Sequence, residues 1–195
     1  MHCPYCRTAL KETVQECPGC KLNLSRAAAL LGPVPRLEKG ISDDVQALSE
    51  RDRASLRKRI RAIEQRFPQI TVQVVCHHFP LDHPFPLYVF WIFNMGGISS
   101  ATSKAGANHT VLLVLDPVIG KSSLMVGYGL EPFIAEPALN HLLEVAEPAW
   151  IDQVWADGIA TVLNGLEPLL ESAVQEIGKT FDLPTTPDEV RGGEF

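Results

Sequence analysis

The chain has 195 residues, 46% of them hydrophobic and 21% charged, with a formal net charge of −6. That length accommodates one well-buried core and a small accessory module. The acidic balance excludes the chain as a whole from the polyanion binders, and no apolar run nears the roughly 20 residues of a membrane-spanning helix.

The opening Met1-His2-Cys3-Pro4 has no apolar stretch of the secretory type, so the expected location is cytoplasmic and the expected thiol state reduced. Cys3-Pro4-Tyr5-Cys6 and Cys17-Pro18-Gly19-Cys20 form two Cys-x2-Cys pairs. Each pair can wrap a tight knuckle that turns both thiolates to one side, and two knuckles complete a tetrahedron. Four soft ligands in a closed site suit zinc ahead of rubredoxin-type iron. Two disulfides are the competing arrangement, and reduced thiols argue against it. A module of about 25 residues cannot build its own core, so the metal would supply its folding free energy. With every position filled by protein, the ribbon is expected to be a contact or tethering element.

Residues 21–31 suggest a short helix, and Gly32-Pro33-Val34-Pro35 a linker. Ser49-Glu50-Arg51-Asp52 is a capping box for a helix over 50–66, with Leu56, Ile60, Ile63 and Phe67 as its buried stripe and Pro68 as its end. Ile70, Val72, Val74 and Cys76 alternate with Thr71, Gln73 and Val75, which predicts a strand with one strongly buried face. Residues 77–86 read as a loop rich in proline and histidine. Residues 87–95 read as a very apolar helix closed by Gly96-Gly97, and residues 98–107 as a mobile surface loop.

Residues 110–115 are an almost uninterrupted apolar run, which suits a strand covered on both faces. Asp116-Pro117 stops it, Gly120-Lys121 turns the chain, and residues 123–126 return as a second strand ending at Gly127-Tyr128-Gly129. Glu136-Pro137 starts a helix lined by Leu139, Leu142, Leu143 and Ala146 and expected to break at Pro148. A final long helix carries Trp155, Ile159, Leu163, Leu166, Leu170 and Ile177, with Pro168 as a kink point, before a frayed tail over 178–195. Helices flanking a few apolar strands predict a three-layer α/β/α sandwich.

The wording of the central stretch, Asn108-His109-Thr110-Val111-Leu112-Leu113-Val114 followed by Val126-Gly127-Tyr128-Gly129-Leu130-Glu131, resembles the most recognisable segment of the TPM domain family. The resemblance extends upstream to Ile41-Ser42-Asp43-Asp44-Val45-Gln46-Ala47-Leu48-Ser49 and covers most of the chain. It implies an α/β fold with a small mixed sheet. It also implies either acid phosphatase activity or calcium binding, centred on Asp43 and Asn108. The family commonly carries Asp-Asn-Gly where this chain has Ala107-Asn108-His109, and losing a carboxylate weakens a site for a hard cation.

Other phosphatase chemistry finds no complete set. Cys76-His77-His78 lacks the following arginine of a thiol phosphatase, the position being Asp82. Asp116 resembles a strand-end nucleophile but is followed by Pro117 with no second acid. Cys76, His77, His78, Asp82 and His83 offer a loop cluster of ligands, yet adjacent histidines on extended backbone point to opposite sides. Residues 50–66 hold seven basic against three acidic side chains. That helix, through Arg53, Arg57, Lys58 and Arg61, is a solvated face or a contact for nucleic acid, an acidic protein or a membrane surface.

The expected organisation is a zinc ribbon at 1–26, a linker at 27–40, a TPM-like α/β domain at 41–177 and a flexible tail at 178–195. The expected function is non-catalytic interaction with an unidentified protein partner. A divalent-metal-dependent phosphatase and an anionic-partner contact stand as the alternatives.

Overall fold

The computed structural model describes residues 2–11, 14–98 and 109–180, with side chains to residue 176. Residues 99–107 of the expected surface loop, Asn108, and 181–195 of the expected tail lie outside them. In chain order the elements are α1 (Leu24–Leu31), β1 (Ile41–Asp43), α2 (Glu50–Arg66), β2 (Thr71–Cys76), α3 (Phe85–Met95), β3 (Thr110–Asp116), β4 (Lys121–Val126), α4 (Glu136–Ile151) and α5 (Trp155–Thr180).

The four strands form one mixed sheet in the order β1-β2-β3-β4. β1, β2 and β3 run parallel, and β4 returns antiparallel to β3. One face presents Ile41, Val72, Val74, Cys76, Val111, Leu113 and Leu115 to α2, α4 and α5. The other presents Val75, Leu112 and Val114 to α3. This is the expected three-layer α/β/α sandwich.

The parallel crossovers β1–α2–β2 and β2–α3–β3 step the same way across the sheet, yet α2 and α3 lie on opposite faces. Two such crossovers are necessarily of opposite hand, so one of them has the rare left hand.

The Ser49 half of the capping box forms: Ser49 Oγ accepts the Asp52 N–H and donates to the Asp52 carboxylate, and Leu56, Ile60 and Ile63 are the buried residues of α2. Four expectations are corrected. β2 is buried on both faces rather than one, because it lies inside the sheet with α3 over its Val75 side. The buried amide of Gln73 is satisfied there: Oε1 accepts from Gly40 N–H and Nε2 donates to the Glu38 carbonyl. α3 begins at Phe85, with Pro86 in its first turn where no N–H is needed. Pro148 does not break α4, which runs on to Ile151. The packing of Trp150 against α5 at Gly158 holds that last turn in place despite the missing N–H. α5 continues through Pro168 and ends at Thr180, inside the span expected to be tail.

The ribbon does not stand apart from the sandwich. Cys3, Cys17 and Leu22 pack with Ala27 of α1 and Leu87 of α3, and with Leu10, Leu31 and Phe90 around them.

Candidate functional site

The two cysteine knuckles are built alike. The Cys3 carbonyl accepts the Arg7 N–H at 3.0 Å and the Cys3 N–H donates to the Thr8 carbonyl at 2.9 Å. The second knuckle repeats this, with Lys21 N–H on the Cys17 carbonyl and Cys17 N–H on the Leu22 carbonyl at 2.9 and 2.8 Å. Arg7 and Lys21 occupy the same place in the two loops and both take the left-handed conformation, with φ of 63° and 60°. That turn reverses the chain after each cysteine pair and aims the thiols inward. A Cβ at Gly19 would stand 2.7 Å from Thr8 Oγ1, so a larger residue there would move the hydroxyl that contacts Cys6.

Cys3, Cys6, Cys17 and Cys20 bring their Sγ atoms within 4.8 Å of one another. Cys3–Cys20 and Cys6–Cys17 are each 3.6 Å apart, with no disulfide between them. A tetrahedral site with metal–sulfur bonds of about 2.3 Å separates its sulfurs by about 3.8 Å, so the donor set fits a closed four-thiolate centre. The Thr8 hydroxyl beside Cys6 lowers its thiol to about 6, and backbone N–H groups lower Cys17. Burial raises Cys3 and pushes Cys20 up to about 12. Among the described residues no other group of three or more ligating side chains comes close enough to share an ion.

A second concentration of polar chemistry lies where the parallel strands end, the edge at which α/β sheets commonly bind ligands. Asp43, Cys76 and Leu115 are in register there, and Asp116 ends β3. The Asp43 side chain is fully buried, its two carboxylate oxygens accepting from the Ala47 and Leu48 N–H groups at 2.9 Å each, with Arg53 3.7 Å away. Asp116 is likewise buried and accepts from the Phe79, Val118 and Ile119 N–H groups at 2.8, 3.0 and 3.3 Å. The adjacent histidines diverge as extended backbone requires: His77 Nδ1 meets Asp44, and His78 Nδ1 stands 3.2 Å from Asp116. Cys76 is buried, and desolvation followed by the charges of Asp43 and Asp44 pushes its thiol up to about 12, a poor state for a nucleophile.

These two His–Asp pairs were not anticipated from the sequence. Their partners come from neighbouring strands, and no local spacing encodes that register. His77 lies where two hollows meet. One, of about 90 Å³, is lined by Arg36, Glu38, Ser42 and Asp44 among others. The larger, of about 310 Å³, is lined by Leu31, Pro33, Phe79, Asp82, His83 and Tyr88 among others.

Of the expected site at Asp43 and Asn108, only Asp43 is among the described residues. Asp43 is in the register row of Leu115, whereas β3 starts at Thr110 opposite Thr71. Strand rise puts those rows roughly 17 Å apart, at opposite ends of the sheet.

On the basic helix, Arg53 faces Asp43, Arg57 pairs with Glu38, and Arg59 and Arg66 pair with Glu167, Arg66 also with Glu171. Lys58 and Arg61 are exposed and, among the described residues, make no ion pair, as is Arg51. Of the four residues read as an anionic-partner patch, Arg53 and Arg57 are therefore committed internally.

A family model described as TPM domain matches residues 41–168. No curated protein matches the chain. Among solved structures, the N-terminal domain of a P. gingivalis protein, determined by solution NMR, is similar at TM-score 0.52 and 19% identity. The match covers 69% of this chain and 83% of that one. The N-terminal domain of a Corynebacterium glutamicum protein is similar at TM-score 0.48 and 13% identity, over 69% of this chain and 82% of that one. At such identity the first likeness bears on the fold alone.

Proposed function

The chain belongs to the TPM domain family, and from that premise we propose that it is a non-catalytic interaction protein. In this reading a TPM domain is joined to a ribbon that holds structural zinc, and the pair engages a protein partner in the cytoplasm. The observation that carries this reading is the use made of the buried aspartates. Asp43 and Asp116 stand at the edge where such sheets commonly bind ligands, and both cap the loops that leave it. A catalytic or cation-binding carboxylate needs free lone pairs, and each of their four oxygens already accepts at least one backbone N–H, which leaves fewer for an ion. The four-thiolate set favours zinc as its ion, since a closed soft site suits a metal without redox demands.

A phosphatase is the second reading. The label of the matched family model names one, and the His77–Asp44 pair beside the hollows has the form of an oriented base. An anionic partner at Arg51, Lys58 and Arg61 is weaker, because neighbouring arginines already have acidic partners.

The deciding assay is aryl phosphate hydrolysis by the full chain with calcium or magnesium, beside Asp43→Asn and His77→Asn, with folding checked by circular dichroism. The expected result is no turnover above the protein-free blank. Metal-dependent turnover that either substitution abolishes would overturn the interaction reading in favour of the enzyme.

A further inference from the structure

α3 is apolar on nearly all sides, and its two faces are covered by different parts of the chain. Tyr88, Val89, Trp91 and Ile92 belong to the cluster on the sheet. Leu87 and Phe90, one helical turn apart on the outer side, pack instead with the ribbon and α1, and Leu87 is 0% exposed. The cover is itself one unit. Arg26 of α1 donates to the Cys20 carbonyl at 3.1 Å, and Asn23 joins the α1 N-terminus to Glu16 of the ribbon. Two of the side chains that shield Leu87 are Cys3 and Cys17, which are also members of the four-thiol centre. The atoms that would hold the ion are therefore attached to the residues that bury α3.

From this we infer that the ribbon is a metal-locked cover: occupancy of the four-cysteine centre controls exposure of the Leu87–Phe90 side of α3. The inference rests on the metal assignment made above and not on the absence of catalysis. A ribbon of this size has no core to keep its shape without the ion. Loss of the metal frees the knuckles and uncovers an apolar stripe, while the sheet face of α3 keeps its own packing. The same motion shifts one wall of the 310 Å³ hollow, since Leu31 and Pro33 belong to the covering side and His77 and Tyr88 to the sandwich. Metal supply, or any chemistry that consumes the thiolates, is then read out as a change of surface.

The test is hydroxyl-radical footprinting of the full chain, zinc-loaded with its metal content measured, then treated with a zinc chelator, then reloaded. Labelling of Leu87 and Phe90 should rise several-fold on chelation and return with zinc, while Leu112 and Leu113 of β3 stay protected. Cys20→Ser should give the chelated pattern without chelator. Unchanged labelling of Leu87 and Phe90 in metal-free protein overturns the cover. A simultaneous rise at Leu112 and Leu113 overturns it as well, since the ribbon would then be part of the core. A chain that binds no zinc removes the metal assignment together with the inference.

Discussion

The ribbon and the sheet lie against one another through α3, yet they are held by different physics. In the sheet, Val74, Leu112, Leu113 and Val114 are almost wholly removed from water, and their burial supplies the stabilisation. In the ribbon, the fully buried apolar positions are cysteines and Leu22, and the largest apolar neighbours come from α1 and α3. Its shape follows from four sulfurs and two matching backbone turns. The first kind of order responds to lost volume and the second to the availability of an ion, so each region should answer to a perturbation that leaves the other in place.

The largest test of that separation on the sheet side is Leu113→Ala. Leu113 is 1% exposed, paired with Val74 on one side and Leu124 on the other. Truncating a buried leucine typically costs about 2–5 kcal/mol. The thermal midpoint of the domain should fall accordingly while the zinc content of the folded protein stays the same. Loss of bound zinc in step with the midpoint would show the two regions to be one cooperative unit.

Alkaline pH should show the next effect, through a thiol in the sandwich. Cys76 is raised from its ordinary value of 9.0 to about 12, chiefly by burial. Below pH 9 the thiol is protonated in folded and unfolded chains, and its ionisation contributes nothing. Above pH 9 the unfolded chain releases the proton and the folded chain does not, so stability falls as pH rises toward 12. One such group accounts for a slope of at most about 1.4 kcal/mol per pH unit. Denaturant titrations between pH 8 and 11 should show a shallower decline in Cys76→Ala than in the wild type, whatever that variant loses at neutral pH. Parallel curves would mean that the thiol ionises inside the folded sheet.

A smaller effect belongs to the α4–α5 pair, where a Cβ at Gly158 would collide with the indole of Trp150. Alanine ordinarily improves on glycine inside a helix by about 1 kcal/mol. Here the methyl group should force the ring aside at about 1–3 kcal/mol, giving a net loss in chemical denaturation. A net gain would show that α4 gives way at its Pro148-weakened end.

Several of these positions could be read from the sequence and several could not, for identifiable reasons. The four cysteines, the α2 cap and the apolar run of β3 are local patterns, and each folded as its spacing required. β1 has only three residues, too few for a periodicity, and only the resemblance drew attention to it. The double burial of β2 depends on α3 crossing to the opposite face from α2, a topological choice that alternation within β2 cannot encode. The pairs His77–Asp44 and His78–Asp116 depend on parallel register between strands separated by whole helices. Pro148 misled for a different reason: helix propensity gave way to the packing of Trp150.

The smallest effects give the finest comparison, because the two regions use the same device. Ser49 Oγ accepts the Asp52 N–H at 3.2 Å at the start of α2, and Asn23 Oδ1 accepts the Arg26 N–H at 2.8 Å at the start of α1. Replacing either cap by alanine should cost about 1 kcal/mol of local helix stability. Where that cost is felt depends on what each helix belongs to. α2 packs in the main cluster through Leu56, Ile60 and Ile63, so Ser49→Ala should lower the global unfolding midpoint. α1 belongs to the cover, so Asn23→Ala should leave that midpoint in place. It should instead speed amide exchange in residues 24–31 and raise the zinc concentration needed to protect Leu87. Equal shifts of the global midpoint by both substitutions would mean that α1 is part of the sandwich, with the metal-dependent boundary at the knuckles themselves.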